Sequence, residues 1–265
     1  VRTSFIQRLP LAATQYRNYL PLFALAAEQF DLSEHELVIS VSHAVAKGVL
    51  TRHDQLHLCY CLTPMRYAWD LYFDYMRTLG PLRRAAAALV LSRLRQWDVA
   101  SSGRVDRYIA ISRTVAARIR RTYGRQADIV YPPVDTDYFQ PQDKKEGYVV
   151  AVGRLVAYKR FDLIVDTFSR LGLPLVVIGE GPERARLEAR AGRSISFLGF
   201  VADDEVRRTV ARARAFVCAG EEDFGIAPVE ALACATPVIA YGRGGVAETV
   251  LDGVHGTHFR EQTVA

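Results

Sequence analysis

Along this chain short apolar runs alternate with longer stretches whose apolar residues recur at helical spacing. Residues 36–41 (ELVISV) read as a short buried strand, followed by Ser42-His43 and a helix carrying Lys47; residues 56–62 are a second strand. Residues 82–97 combine helical spacing with good helix formers, and residues 107–111 read as a strand. Ser112 then stands where an N-cap belongs, before a helix over 113–123. The pattern breaks at Tyr131-Pro132-Pro133 and turns polar over 140–147 (QPQDKKEG), a composition that predicts an interdomain linker.

A second series follows. Strands are predicted at 148–152, 173–178, 195–198, 215–218 and 238–241, with helices at 159–170, 183–190, 203–214 and 228–234 between them. Strand, loop and helix in strict alternation call for a parallel sheet covered on both faces. The fold expected is α/β, with two Rossmann-like domains facing a cleft. The first, over 1–141, has too few strands before Glu36 to be whole, and the second, over 142–265, ends in an unfinished strand-helix unit. The chain therefore reads as cut at both ends.

Composition narrows the class. Half of the 265 residues are hydrophobic and 24% are charged, the profile of a globular protein. No apolar run approaches the ~20 residues of a membrane span, and a cytoplasmic location is expected. Cys59, Cys61, Cys218 and Cys234 lack the spacing of a zinc site or a disulfide framework and read as reduced, buried thiols. The net charge of +5 favours anionic partners. Arginine crowds residues 83–125, which suits a solvated helix face or a peripheral contact with anionic lipid; no nucleic-acid motif accompanies it.

The chemistry concentrates in the second half. Glu222 falls in a loop after a strand and Glu230 two turns on, inside a helix, while Phe224-Gly225-Ile226 place backbone N–H groups at that helix start. Carboxylates accept from sugar and ribose hydroxyls. Gly153-Arg154 follow another strand, with Lys159 five residues beyond Arg154; an arginine and a lysine at a strand end suit a diphosphate. Three weaker signals compete. Asp135-Thr136-Asp137 spells a metal-binding D-x-D but sits where Asp commonly makes turns. Gly179 to Arg184 imitates a dinucleotide fingerprint without its third glycine. Gly242 to Gly245 suits either a donor pocket wall or a tight turn.

The segments VGRLVAYKRFD, IGEGPE, ISFLGFVADDEV, EDFGIAPVE and TPVIAYGRGGVAETVLDG, over roughly 147–256, together resemble the C-terminal domain of retaining glycosyltransferase family 4, a GT-B fold. ELVISVSHAVAKGV and CYCLTPMRYAWD, within about 4–80, resemble its bacterial mannosyltransferase branch. The resemblance implies a retaining hexosyltransferase that needs no metal or other cofactor. Its expected donor is GDP-mannose, and its acceptor a cell-surface glycan or a lipid-linked one. Arg154 and Lys159 would hold the donor pyrophosphate, and Glu222 with the amides of Phe224 and Gly225 the hexose. Glu230 would take the ribose and the backbone at Gly199-Phe200 would lie near the base. Gly153 and Ile226 complete the donor side, and His43 and Arg66 are the substrate-binding candidates of the first half. One departure stands out. Family members carry a histidine before the Thr-Pro of CYCLTP, and this chain has Leu62, which neither donates nor accepts a proton. Two alternatives follow, a non-catalytic nucleotide-sugar-binding or scaffold protein, and a transferase using UDP- or ADP-glucose.

Overall fold

The computed structural model describes residues 1–264, which form two compact units, one of residues Val1–Val130 and one from Tyr131 onward. The first opens with two short helices, α1 (Ala12–Gln15) and α2 (Phe23–Glu28), before strands β1 (Leu37–Ser42) and β2 (Leu56–Cys61). Helices α3 (Tyr72–Arg77) and α4 (Pro81–Ser102), strand β3 (Arg107–Ala110), helix α5 (Arg113–Tyr123) and strand β4 (Ala127–Ile129) follow. The strands form one parallel sheet in the order β1-β2-β3-β4. Ser112 caps α5 as its position predicts, its Oγ accepting from Val115 N at 3.0 Å. Pro81 opens α4, where its missing N–H costs nothing.

Two readings of this unit need correction. β1 is not buried throughout: Val38, Ser40 and Ser42 face the core, whereas Leu37, Ile39 and Val41 are exposed, because only one face of the sheet is packed there. Lys47 is not on a helix of any length but in a single 3-10 turn, and it is buried. Its ammonium sits 2.8 Å from Asp98 Oδ1, donates to Asp98 O and Ser101 Oγ, and faces the rings of Trp97 and Tyr123. Asp98 also accepts from Trp69 Nε1 and the Tyr123 hydroxyl, so both buried charges are fully partnered. Cys59 and Cys61 share the packed face of β2, as expected of core thiols.

The second unit runs β5 (Val149–Val152), α6 (Phe161–Leu171), β6 (Leu175–Ile178), α7 (Arg184–Glu188), β7 (Ile195–Gly199), α8 (Asp203–Arg212) and β8 (Ala215–Cys218). It closes with α9 (Ile226–Ala233), β9 (Val238–Tyr241), α10 (Val246–Thr249) and β10 (Gly256–Phe259). All six strands are parallel, in the order β10-β9-β8-β5-β6-β7. Neighbouring residues of one strand serve opposite cores: Val150 packs with Val210, Phe216 and Val238, and Ala151 with Ile164, Phe168 and Val177. A sheet buried on both faces is why these strands read as unbroken apolar runs rather than alternating ones.

The polar run at 140–147 is not a free linker. Phe139 packs against the first of those cores, and the Lys145 ammonium donates to Ala211 O at 2.7 Å, Thr236 Oγ1 at 2.8 Å and Cys234 O at 3.0 Å. Those carbonyls end α8 and follow α9, where a cation is favoured by the helix dipoles. The charge that suggested a linker is spent on the second unit, whose start is Tyr131.

Candidate functional site

In the second sheet β5 lies between β6 and β8, and the strand order reverses there: β6 and β7 continue to one side, β8, β9 and β10 to the other. In such sheets the loops leaving adjacent strands at the reversal diverge and open a crevice at the carboxyl ends. The loop after β5 carries Gly153, Arg154 and Lys159; the loop after β8 carries Gly220, Glu221 and Glu222. Lys159 Nζ lies 2.7 Å from Glu222 Oε1, so an ion pair spans the reversal, with each side chain about a fifth exposed. Burial disfavours the Lys159 ammonium, but the charge and hydrogen bond of Glu222 outweigh that and hold its pKa above the ordinary lysine value. Arg154 is exposed and has no carboxylate partner among the described residues.

Several features bring these loops together. A Cβ on Gly220 would lie 2.8 Å from Lys159 Cα, so the two backbones touch. Arg160 is braced by Asp162 and by Gln262 Oε1, and Gln262 Nε2 donates to Ala219 O at 2.6 Å. Gln262 therefore ties the loop after β8 to the start of α6. Nothing in its local sequence signals this, because the contact is long-range in the chain.

The glycines of the two weaker signals have steric roles. A Cβ on Gly179 would fall 2.0 Å from Gly153 O, which lets the loop after β6 close against the loop after β5. Gly244 pairs with Glu222 in a parallel bridge, and Gly245 N donates to Glu222 O at 2.7 Å. A Cβ at Gly244 would meet Glu222 O at 2.4 Å, so this loop buttresses the acidic one. Asp135 makes a turn, its Oδ1 accepting from the backbone of Asp137 and Tyr138.

Helix α9 starts at Ile226, two residues earlier than its pattern predicts, with Gly225 in the left-handed region before it and no side-chain cap. Its first N–H groups therefore have no intrahelical acceptor. Phe224 is buried and stacks on Tyr131, ring centroids 5.9 Å apart, whereas Ile226 is exposed. Glu230 lies on the next turns of α9, half-buried, with no hydrogen-bonding or oppositely charged partner among the described residues. Burial, and then the nearby Asp203, push its carboxyl above the usual carboxylate range. Gly199 ends β7 with a positive φ, and Phe200 beside it is exposed.

His43 and Arg66 belong to the first unit. His43 is exposed and directly follows β1; Leu62 directly follows β2 and donates its N–H to Ser42 O at 2.8 Å. These positions share one end of that sheet, and Arg66 comes shortly after. His57 is structural. It is fully buried, with Nε2 2.9 Å from Ser40 Oγ and Nδ1 3.1 Å from Arg104 O, and burial lowers its pKa.

Residues 135–265 match the family described as glycosyl transferases group 1. This half of the chain belongs to that family. The group 1 region lies wholly within the second unit and contains the Lys159–Glu222 pair and Glu230. The chain is also similar to D-inositol 3-phosphate glycosyltransferases. That of Mycobacterium leprae strain Br4923 is 31% identical over 200 residues, which cover 67% of this chain and 45% of the relative. That of Mycobacterium marinum is 28% identical over 200 residues, covering 67% and 41%. The chain thus spans less than half the length of these curated relatives. Among solved structures, the sucrose-phosphate synthase of Thermosynechococcus elongatus superposes with a TM-score of 0.70 at 19% identity, covering 94% of this chain and 67% of that one. Anabaena HepE, solved with UDP and glucose, gives 0.62 at 16% identity over 98% and 70%. At such identities the likeness speaks for the fold, which is the α/β architecture with parallel sheets that the sequence predicts.

Proposed function

We propose that the chain is part of a glycosyltransferase that takes a hexose from a nucleoside diphosphate sugar, with the donor held by the second unit. The observation that carries this is the Lys159–Glu222 pair at the strand-order reversal, with the half-buried Glu230 on the helix that follows the Glu222 loop. A diphosphate sugar presents two chemistries in sequence: anionic oxygens that arginine and lysine satisfy, and hydroxyls that carboxylates accept from. Arg154 and Lys159 take the first, Glu222 and the amides of Phe224 and Gly225 the sugar, and Glu230 the ribose. Gly153 and Ile226 border this region, and the backbone at Gly199-Phe200 approaches the base. As the sugar leaves, negative charge grows on the diphosphate, and two preorganised cations lower that barrier by electrostatics. The reading calls on no metal, and retention of anomeric configuration comes with the family.

For the donor, GDP-mannose rests on the first unit's segments around ELVISVSHAVAKGV and CYCLTPMRYAWD, with His43 and Arg66 on the acceptor side. UDP-glucose is the second reading, favoured by the Anabaena neighbour's bound UDP and glucose. The acceptor is a surface glycan or lipid-linked sugar, and the arginines of the first unit make a peripheral contact with the cytoplasmic face of a membrane part of the same proposal.

The deciding experiment is calorimetry with GDP-mannose, UDP-glucose and ADP-glucose, followed by product assay, on the chain and on Glu222→Ala and Leu62→His. Binding of one donor that Glu222→Ala weakens supports the site. If Leu62→His gains no turnover and Glu222→Ala loses no binding, the assignment is wrong. Tight donor binding with no turnover in either form favours a non-catalytic binder.

A further inference from the structure

Helices α3 and α4 pack inward through Met76, Leu91 and Leu94, which form a cluster with Met65 and Ala68. Their hydrophobic demand is met there, yet the side of α4 opposite Leu91 and Leu94 is also apolar, and α3 adds exposed aromatic rings. Leu82 is 89% exposed, Phe73 70% and Leu89 61%, and Tyr75, Ala85 and Ala86 are exposed with them. Leu82, Ala85, Ala86 and Leu89 stand at i, i+3, i+4 and i+7, so they make a second stripe, about 10 Å long. From Pro81 to Trp97 the sequence contains four arginines and no acidic residue. Two are used internally. Arg84 donates to Met76 O and Leu79 O, fixing the turn between the helices, and Arg95 donates to Ala68 O and lies over the Tyr72 ring. Arg83 and Arg93 flank the stripe, exposed and without a carboxylate partner among the described residues. Asp74 of α3 is paired with Arg77 at 3.1 Å.

We propose that this side of the first half of α4, with the exposed Phe73 of α3, docks on an anionic lipid surface, with Phe73, Leu82 and Leu89 entering the head-group boundary and Arg83 and Arg93 taking the anionic head groups. The proposal rests on the peripheral-membrane part of the functional reading and names the surface that makes the contact. The chemistry selects this occupant. A nucleic acid would satisfy the arginines but leave Leu82 and Phe73 in water. A second copy, packed about a twofold axis, would set the same arginines against each other. An interfacial helix pair wants apolar residues on one side with cations at their rim, which is the arrangement here.

Flotation of the chain with vesicles tests this, using phosphatidylcholine alone and phosphatidylcholine mixed with phosphatidylglycerol. The expected result is flotation with the mixed vesicles only, weakened by salt. Phe73→Ser with Leu82→Ser should weaken partitioning by about tenfold or more. Arg83→Gln with Arg93→Gln should remove most of the preference for anionic lipid. All four side chains are exposed, so thermal melts should be unchanged and the variants remain folded. Absence of flotation, equal flotation with neutral vesicles, or flotation that survives both double variants overturns the proposal. So does self-association that the Phe73/Leu82 variant abolishes while no form floats. Donor calorimetry on the same samples separates the two readings: a chain that binds donor without floating loses only the lipid surface, and one that floats without binding donor loses only the donor site.

Discussion

Lys159 and Glu222 close on each other at 2.7 Å between the loops that leave β5 and β8. Without donor, the cation assigned to the diphosphate and the carboxylate assigned to the sugar neutralise one another. Each keeps the other from standing as a lone charge in a partly buried crevice. A donor that fills the crevice offers both groups new partners, so the pair can separate without leaving either charge bare.

The pair is therefore expected to be coupled in stability. Lys159→Met and Glu222→Gln should each cost roughly 1–3 kcal/mol, since each leaves a partly buried charge without its partner. The double variant should cost clearly less than the sum. Urea denaturation of the four forms measures this; additive losses would mean that the pair is a surface contact of no consequence. Turnover should respond differently, with Lys159→Met alone lowering kcat by about a hundredfold or more, as loss of a preorganised charge does.

Glu230 should show function and stability opposed. Its carboxyl titrates above the usual range because burial, with help from Asp203, favours the neutral form. A carboxyl raised in the folded state contributes most to stability at low pH, and that contribution is lost as pH rises through its folded pKa. At neutral pH the ionised group is thus a cost to the donor-free protein. Glu230→Gln should raise Tm at pH 7, flatten the pH dependence of stability above the ordinary glutamate pKa, and weaken donor binding by about tenfold. In the parent protein, donor affinity should fall as pH drops through the raised pKa. Calorimetry across pH 4.5–8 for both forms checks all three, at about one-unit steps. An unchanged Tm together with unchanged affinity would remove Glu230 from the site.

Much of the second unit was legible because its strands are buried on both faces and separated by turns. The residues at the strand ends could be placed once the alternation was recognised. What the pattern could not show was long-range pairing. Nothing local says that Lys159 meets Glu222, that Gln262 braces Ala219, or that Lys145 ends two helices. The last case misled outright: four charged residues in a row after a proline read as a tether, whereas one of them is the clamp on α8 and α9. In the first unit, β1 read as a buried strand because it is mostly apolar, and only packing reveals that one of its faces is bare. Ser112 was readable because capping is local.

The buried Lys47–Asp98 network makes a prediction about the first unit alone. Asp98→Asn keeps the shape and hydrogen-bonding capacity toward Trp69 and Tyr123 but leaves the Lys47 ammonium, 1% exposed, without a counter-charge. The loss should be about 3–5 kcal/mol. Lys47→Met with Asp98→Asn removes the uncompensated charge and should recover a large part of it. If Asp98→Asn melts like the parent, water must reach Lys47 and the site is not sealed.

Lys145 makes the corresponding prediction for the second unit. Its ammonium holds Ala211 O, Cys234 O and Thr236 Oγ1 at 3.0 Å or less, and burial lowers its pKa without removing it from three good acceptors. Lys145→Met preserves the aliphatic stem but leaves the carbonyls at the ends of α8 and α9 without that donor. A loss of roughly 2–4 kcal/mol is expected from hydrogen bonds to a charged group and from the helix dipoles it faces. Glu230 lies on α9, and its neighbour Asp203 begins α8, so the same substitution should loosen the helix that carries the proposed ribose contact. The expected signature is faster amide exchange over 203–212 and 226–233, with exchange over 81–102 in the first unit unchanged. A free linker at 140–147 would give neither the stability loss nor the exchange, because a solvated lysine has no carbonyl to release.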